Sequence, residues 1–210
     1  ESKKAGEPLH AKRLPFLRNI ITVGFKQKGC LTWEDAIERG KTVPTAEVYR
    51  MAAAVDKDDV CNMQYTSGTT GFPKGVMLTH YNVVNNGKCI GDCMELSTAD
   101  RLMIQVPMFH CFGMVLAMTA SMTHGTTIYP LPYFSPKPAL ACINSEHITA
   151  FHGVPTMFIA MLENPDFAKT DFSYMRTGIM AGSPCPISVM QDVVDKMNMK
   201  EIVITYGQTE

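Results

Sequence analysis

The most informative part of this chain is the stretch Gln64-Tyr65-Thr66-Ser67-Gly68-Thr69-Thr70-Gly71-Phe72-Pro73-Lys74-Gly75-Val76-Met77-Leu78-Thr79-His80. Residues 60–65 form a short, half-apolar run that predicts a strand. Residues 66–75 then contain hydroxyl side chains, three glycines, one proline and one lysine, and they predict a loop. A second apolar run follows at 76–78, and we expect a helix to begin within a few residues of Thr79.

The loop is chemically suited to bind a polyphosphate. Its glycines allow the backbone to turn tightly and approach a ligand, and successive N–H groups in such a turn form an anion-binding nest. The hydroxyls add donors, and Lys74 adds a positive charge. The loop is not a Walker A motif, because Pro73 and Gly75 stand where that motif has a glycine and a Ser or Thr. The alternative is a surface turn, which the combination of hydroxyls, glycines and Pro-Lys-Gly disfavours.

Residues 65–75 resemble the signature loop of the adenylate-forming enzymes. That family contains acyl-CoA synthetases, aryl-CoA ligases, luciferases and the adenylation domains of peptide synthetases. In the family this loop closes over the β- and γ-phosphates of ATP, and the resemblance implies that Lys74 is catalytic. It also implies that the nucleotide-binding residues include Thr66, Ser67, Gly68, Thr69, Thr70, Gly71, Phe72, Pro73 and Lys74.

A second resemblance lies in residues 206–210, Tyr-Gly-Gln-Thr-Glu, which match the family's Y-G-x-T-E motif and follow an expected strand. The resemblance implies that Tyr206 stacks on adenine beside Gly207, that Thr209 contacts the α-phosphate, and that Glu210 holds Mg²⁺. Thr209 and Glu210 are thereby implied to be catalytic, and a carboxylate is a ligand that suits Mg²⁺. Without the family, these residues would predict only a turn with a capping threonine.

A weaker match is Gly182-Ser183-Pro184, which also follows an expected strand. In the family, a Gly-x-Pro turn at this place borders the adenine, so the resemblance implies that Gly182, Ser183 and Pro184 bind the nucleotide. An ordinary strand-to-helix turn explains the same residues equally well.

The segment 107–113, Pro-Met-Phe-His-Cys-Phe-Gly, follows a strand, and open α/β sheets bind ligands at the carboxyl ends of their strands. A lone histidine beside aromatic residues is more often a satisfied core residue. Here the segment resembles the family's acyl-site motif, which implies that Phe109, His110 and Gly113 bind the substrate. Relatives that activate amino acids carry Phe-Asp at this place, so Phe109-His110 favours a plain carboxylic acid.

Strands and helices alternate from residue 60 onward, with strands expected near 101–106, 126–129, 148–151, 175–180 and 202–205. This order predicts an α/β fold with βαβ crossovers, a largely parallel sheet and flanking helices. We expect residues 1–59 to be a connector with a strand and short helices, and residues 60–210 to be the AMP-binding α/β subdomain. By resemblance, both belong to the N-terminal domain of an acyl-CoA synthetase-like adenylating enzyme.

Composition excludes several classes of protein. The net charge is −1 and 46% of the residues are hydrophobic, which predicts an ordinary globular chain without affinity for nucleic acid. No apolar run is long enough to span a bilayer. The seven cysteines form no C-x-x-C pair, which favours a reducing cytoplasm. Cys89 and Cys93 lie one helical turn apart, and we expect them to be buried thiols rather than metal ligands.

We therefore interpret the chain as part of an ATP-dependent fatty acid–CoA ligase that uses a fatty acid or similar carboxylic acid, ATP, Mg²⁺ and coenzyme A. The alternatives are a luciferase-type oxidoreductase with the same adenylation step, a P-loop kinase or ATPase, and a non-catalytic ATP-binding module. The family's ribose-binding Asp and its C-terminal domain with a catalytic lysine find no match in this chain. We therefore expect a piece of a longer protein that is inactive alone and exposes apolar surface through which it can self-associate.

Overall fold

The chain divides into two compact units, Glu1–Val55 and Asp56–Glu210. The computed structural model describes residues 4, 6–66 and 71–209. The division lies near the boundary that we expected after residue 59, and the domain assignment itself stays a prediction.

The first unit holds a short parallel strand pair and two helices. Thr32 caps the first helix with a capping box: its hydroxyl accepts from the Asp35 N–H at 3.1 Å, and its own N–H donates to the Asp35 carboxylate at 3.0 Å. Thr32 with an acidic residue three positions later is the sequence pattern of a capping box, and this pattern predicts the start of a helix here. The elements, in order, are β1 (Ile21–Thr22), β2 (Leu31–Thr32), α1 (Trp33–Gly40) and α2 (Thr45–Ala53).

The second unit opens with an antiparallel hairpin of β3 (Val60–Tyr65) and β4 (Gly75–Thr79). The strand expected at 60–65 is confirmed. Its expected place as the first strand of the parallel sheet is wrong, because β4 follows after a short loop and a short connection can join only antiparallel strands. Residues 71–74 contain no helix, as predicted, whereas 67–70 lie outside the described residues.

Helix α3 (His80–Cys93) begins directly after Thr79, as expected. Its buried face is made of glycines: a Cβ on Gly87 would lie 2.6 Å from Thr119 Cγ2, and one on Gly91 would lie 2.2 Å from the His124 ring. Cys89 and Cys93 lie away from this face and are exposed, so the prediction that they are buried is wrong.

A five-stranded parallel sheet follows, with strand order β6-β5-β7-β8-β9. This confirms the α/β class and the parallel sheet. The strands are β5 (Arg101–Ile104), β6 (Thr127–Pro130), β7 (Ala150–Gly153), β8 (Thr177–Met180) and β9 (Glu201–Ile204). The connections contain the π-helix Phe112–Thr119 with α4 (Ala120–His124), then α5 (Pro136–Glu146), α6 (Pro155–Leu162), the 3₁₀ turn Phe167–Lys169, and α7 (Ile187–Lys196).

Successive residues of a strand point to opposite faces of the sheet, and in this sheet both faces are buried by helices. One face packs on α5, α6 and α7 in a cluster that includes Met103, Phe151 and Phe158. The other face packs on the end of α3, the π-helix and α4, in a cluster that includes Leu102 and Ile179. The sheet is thus the core of this unit, and the loops at the ends of its strands carry the candidate site.

An ion pair between the partly buried Arg176 and the buried Asp100 lies at the amino-terminal edge of the sheet, opposite the candidate site. Arg176 donates through Nε and Nη2 to the two Asp100 oxygens at 3.0 and 2.8 Å, and Nη1 donates to Glu201 at 2.6 Å. It also donates to the carbonyls of Met94 and Glu95 at the end of α3. Burial pushes the pKa of Asp100 upward, but the hydrogen bonds, led by Arg176, outweigh it and hold that pKa below its usual value.

Candidate active site

Two neighbouring cavities lie where the loops after β5 and β9 meet. The larger cavity has a volume of about 590 Å³ and the smaller one about 400 Å³. They share a wall, which consists of Cys111, Leu116 and residues 205–209 and is called the shared wall below. Because all five strands are parallel, their carboxyl ends meet at one edge of the sheet, where such folds bind ligands.

The larger cavity is formed by the loops that follow β5, β8 and β9. It brings together residues that are far apart in the chain and that three separate motifs single out. The predicted site residues that line it are His110, Gly182, Ser183, Pro184, Tyr206, Gly207 and Thr209. The structure thus assembles the predicted adenine and α-phosphate residues around one space, together with the histidine of the predicted acyl site.

Two features shape the walls of this cavity. Gly182 has a φ of +86°, a left-handed conformation that favours glycine, and a Cβ there would lie 3.0 Å from Val154 Cγ1. The ring of Tyr206 is 90% exposed, and its hydroxyl accepts a hydrogen bond from Gln208 Nε2 at 3.1 Å. An exposed aromatic face at a cavity wall offers a stacking surface for a planar ring.

Like the larger cavity, the smaller one is lined mainly by apolar surface. It lies between β4, α3, the π-helix and the shared wall. The lining side chains that come from β4, α3 and the π-helix are Val76, Met77, Leu78, Asn82, Val83, Asn86, Ile90, Val115 and Leu116. Apolar walls with a few polar groups are typical of sites for small organic ligands.

The loop after β5 places His110 at the larger cavity. The Nδ1 atom of His110 accepts from the Phe112 N–H at 3.1 Å, so in the neutral ring Nε2 carries the hydrogen. Gly113 is buried, and a Cβ there would lie 2.4 Å from the Pro107 carbonyl oxygen, so only glycine lets the loop fold this closely. Gly113 lines neither cavity, and nor does Phe109, whose ring is 84% exposed.

The described part of the predicted phosphate-binding loop, residues 66 and 71–75, is held together at its base. Thr66 N–H donates to the Lys74 carbonyl at 3.0 Å, and Lys74 N–H donates to the Thr66 hydroxyl at 3.2 Å. Phe72 is exposed. None of the described loop residues, Thr66, Gly71, Phe72, Pro73 and Lys74, lines either cavity. Ser67, Gly68, Thr69 and Thr70, together with Glu210, lie outside the described residues.

Sequence reasoning missed His152, which is fully buried on β7. The Ile179 N–H donates to its Nδ1 at 3.2 Å, so the hydrogen lies on Nε2, which donates to the Leu116 carbonyl of the π-helix at 3.0 Å. Its ring stacks on Phe112 with centroids 5.8 Å apart. Burial lowers the pKa of His152 to about 4, so the ring is neutral at pH 7. A polar residue inside the apolar run 148–153 is the signal that could have found it.

Cys111, also missed, lies in the shared wall. Burial raises the pKa of the Cys111 thiol, although a hydrogen bond with Thr209 acts in the opposite direction. The thiol is therefore uncharged at neutral pH. The signal in the sequence is its position between His110 and Phe112, which places it on the same loop as the predicted acyl site.

Within residues 4, 6–66 and 71–209, no group of three or more His, Cys, Asp and Glu side chains is placed to hold a metal ion. In the same part of the chain, every helix is too short or too polar to cross a lipid bilayer.

Comparison with known proteins gives a consistent result. The family described as AMP-binding enzyme matches residues 9–210. The chain is 51% identical over 211 residues to YngI of Bacillus subtilis (strain 168), and it is 40% identical over 208 residues to the mouse mitochondrial medium-chain acyl-CoA ligase ACSF2. These matches cover 100% and 96% of this chain but only 38% and 34% of the two relatives.

Solved structures agree with this. The inhibitor-bound N-terminal domain of FACL13 from Mycobacterium tuberculosis matches with a TM-score of 0.71 and 28% identity, over 86% of this chain and 44% of that one. ATP-bound MatB from Rhodopseudomonas palustris matches with a TM-score of 0.65 and 28% identity, over 74% of this chain and 30% of that one. The chain therefore spans less than half the length of each of these four proteins.

Proposed function

The chain belongs to the AMP-binding enzyme family, and from this premise we propose that it is part of an ATP-dependent acyl-CoA synthetase that activates fatty acids or similar carboxylic acids. A carboxylate oxygen attacks the α-phosphorus of ATP, the bond to pyrophosphate breaks, and an acyl-adenylate forms. The sulfur of coenzyme A then attacks the acyl carbon, AMP leaves, and the thiol proton passes to solvent. The products are an acyl-CoA thioester, AMP and pyrophosphate.

One observation carries this proposal: two cavities meet at the shared wall, one bordered by the 182–184 turn and the other by aliphatic side chains of β4, α3 and the π-helix. Adenylation joins a charged nucleotide to an acid with an apolar body, and it needs both reactants held against each other. The larger cavity offers the exposed Tyr206 ring and the 182–184 turn for the nucleotide. The smaller cavity offers apolar side chains for the acid, and Thr209 lies in the wall between them, near the bond that forms.

The donors around the larger cavity suit a reaction in which negative charge moves to pyrophosphate. Thr209 lies in the shared wall, and the His110 ring, which lines the larger cavity, carries a hydrogen on Nε2. Such preorganised donors stabilise developing charge without reorganising. We assign Thr209 to the α-phosphate, His110 to the carboxylate, and the loop with Lys74 to the β- and γ-phosphates.

The metal ligand that we propose is Glu210. It follows Thr209 directly in the chain, and carboxylate oxygens are hard ligands of the kind that Mg²⁺ prefers. The chemistry of this carboxylate therefore fits Mg²⁺, which when bound would neutralise phosphate charge.

The test is acid-dependent exchange of pyrophosphate into ATP by the full-length protein, with fatty acids and amino acids as substrates. We expect exchange with fatty acids and none with α-amino acids, because His110 stands where an ammonium-binding Asp would be needed. Tyr206→Ala should raise the KM for ATP, and Tyr133→Ala, an exposed tyrosine outside both cavities, is the matched control. Exchange with an amino acid, or no exchange with any acid, would overturn the proposal.

The same assay separates the alternatives. A luciferase-type oxidoreductase would form the adenylate but emit light with oxygen instead of forming an acyl-CoA. A non-catalytic module would bind ATP without exchange, and a kinase or ATPase would release ADP rather than AMP. Formation of acyl-CoA and AMP in equal amounts would exclude all three.

We also propose that the 210 residues alone do not complete the reaction, because relatives of this chain are much longer. Apolar side chains such as Phe16, Val23 and Met77 are exposed, and we expect the isolated chain to self-associate through such surfaces. Multiple turnovers by the purified 210-residue chain, measured as AMP release, would contradict the proposal that it does not complete the reaction alone.

All seven cysteines are free, which supports a reducing compartment such as the cytoplasm.

A further inference from the structure

The smaller cavity contains two asparagines among its apolar side chains. Asn82 and Asn86 are four residues apart on α3, so they lie on the same face of the helix, one turn apart. The other side chains that β4, α3 and the π-helix contribute to this cavity are apolar. A polar pair among them needs a physical reason, because a carboxamide loses hydrogen bonds to water when an apolar ligand covers it.

Asn82 has a structural reason. Its Oδ1 accepts from the Thr79 N–H at 3.1 Å and from the Thr79 hydroxyl at 2.8 Å. Its own N–H donates to the Thr79 hydroxyl, which completes the cap of α3. The oxygen of Asn82 is therefore already committed to the helix and is not needed for a ligand.

Asn86 has no such reason. Among residues 4, 6–66 and 71–209, no hydrogen bond or ion pair involves its carboxamide, which lines the cavity and is open to solvent. The neighbouring Asn85, by contrast, donates to the Tyr81 carbonyl at 2.8 Å and does not line the cavity. Asn86 is thus a donor and an acceptor held at an apolar cavity without a task in the fold.

We propose that Asn86 determines acid specificity, selecting acids that carry a hydrogen-bonding group, such as a hydroxyl or an oxo group, on the part of the chain that fills the smaller cavity. This inference rests on the proposed function. A plain alkyl chain would displace water from the carboxamide without making a hydrogen bond to it. An oxygenated chain would replace the lost hydrogen bond with one of its own. Sites built to hydrogen-bond a substrate reject the analogue that lacks the group more strongly than apolar pockets reject an added hydroxyl.

The experiment uses the full-length protein and pairs of acids of equal length, one unsubstituted and one with a hydroxyl at successive positions along the chain. The readout is the ratio of kcat/KM values in pyrophosphate exchange. We expect the wild type to prefer the hydroxy acid at one or more positions. Asn86→Leu should reduce that preference by roughly 10- to 100-fold, because the bound acid would shield the hydrogen bond from water and the variant would lose it. Asn85→Leu makes the same change one residue away, outside the cavity, and should leave the ratio unchanged.

The outcomes separate the two levels of the proposal. If no acid of either kind supports exchange, the proposed function fails. If acids support exchange but the wild type prefers the plain acid at every position, or if Asn86→Leu leaves the ratio unchanged, the role of Asn86 is wrong and the proposed function stands. Asn86→Gln is the second variant: it keeps the carboxamide and should retain a preference for hydroxy acids, so loss of that preference would also count against the inference.

Discussion

The ion pair between Arg176 and Asp100 should be a major determinant of stability. The perturbation is Arg176→Leu, which keeps an apolar stem but removes the guanidinium. The Asp100 carboxylate is 3% exposed and would lose two hydrogen bonds and its counter-ion. Breaking a buried pair from one side costs about 3–5 kcal/mol. We expect the lower end, about 3 kcal/mol, because Ser97 and Thr149 still donate to Asp100.

The assay is urea unfolding followed by circular dichroism, with stability extrapolated to water. Lys88→Leu is the matched control, since it removes an ion pair with Asp92 of similar length, 2.7 Å, whose partners are 59% and 52% exposed. Exposed pairs of this kind contribute about 0–1 kcal/mol. The double variant Asp100→Asn with Arg176→Leu should recover part of the loss, because no unpaired charge remains. Equal effects of Arg176→Leu and Lys88→Leu would refute the reasoning.

Three further predictions follow from individual residues. The pKa of His152 falls from 6.5 to about 4 on folding. The unfolded chain therefore binds a proton between these values that the folded chain does not, and stability should decrease by about 3 kcal/mol as the pH drops from 6.5 to 4; His152→Gln should remove this part of the pH dependence in urea titrations. Lys74→Ala should slow adenylate formation roughly 10- to 100-fold in the exchange assay, because a charge-assisted contact is lost; a wild-type rate would contradict the assigned role. Gly113→Ala should destabilise the protein by about 1–3 kcal/mol in thermal melts, because its Cβ would lie 2.4 Å from the Pro107 carbonyl oxygen; an unchanged melting temperature would show that the loop yields without cost.

Local patterns predicted several elements correctly. Thr32 and Thr79 mark the starts of α1 and α3, because a cap depends only on side chains and N–H groups three residues apart. The alternation of strands and helices, expected from residue 60 onward, predicted the parallel sheet that the structure has after residue 101. A helix between two strands supplies the long crossover that parallel pairing needs. These features depend on interactions between residues close together in the chain or on the lengths of connections. Both can be determined from the sequence alone.

Other features needed the tertiary structure. The strand at 60–65 was predicted, but its antiparallel partner was not. The sequence pattern of a strand does not indicate which neighbouring strand it pairs with. Cys89 and Cys93 were expected to be buried, but the packing of Gly87 and Gly91 against Thr119 and His124 turns that side of α3 away from the core. Which face of a helix is buried depends on its partner, and a moderate periodicity does not determine it.

The candidate site divides in the same way. The motifs around Tyr206, Gly182 and His110 could be read directly from the chain, because each is a short run of residues with its own chemistry. The strand order brings these motifs together in one cavity and places Cys111 and Leu116 in the wall between the two cavities. The rotation of α3 about its axis places Asn86 at the smaller cavity. Strand order and helix rotation are set by packing between residues far apart in the chain, so short runs of sequence do not contain them.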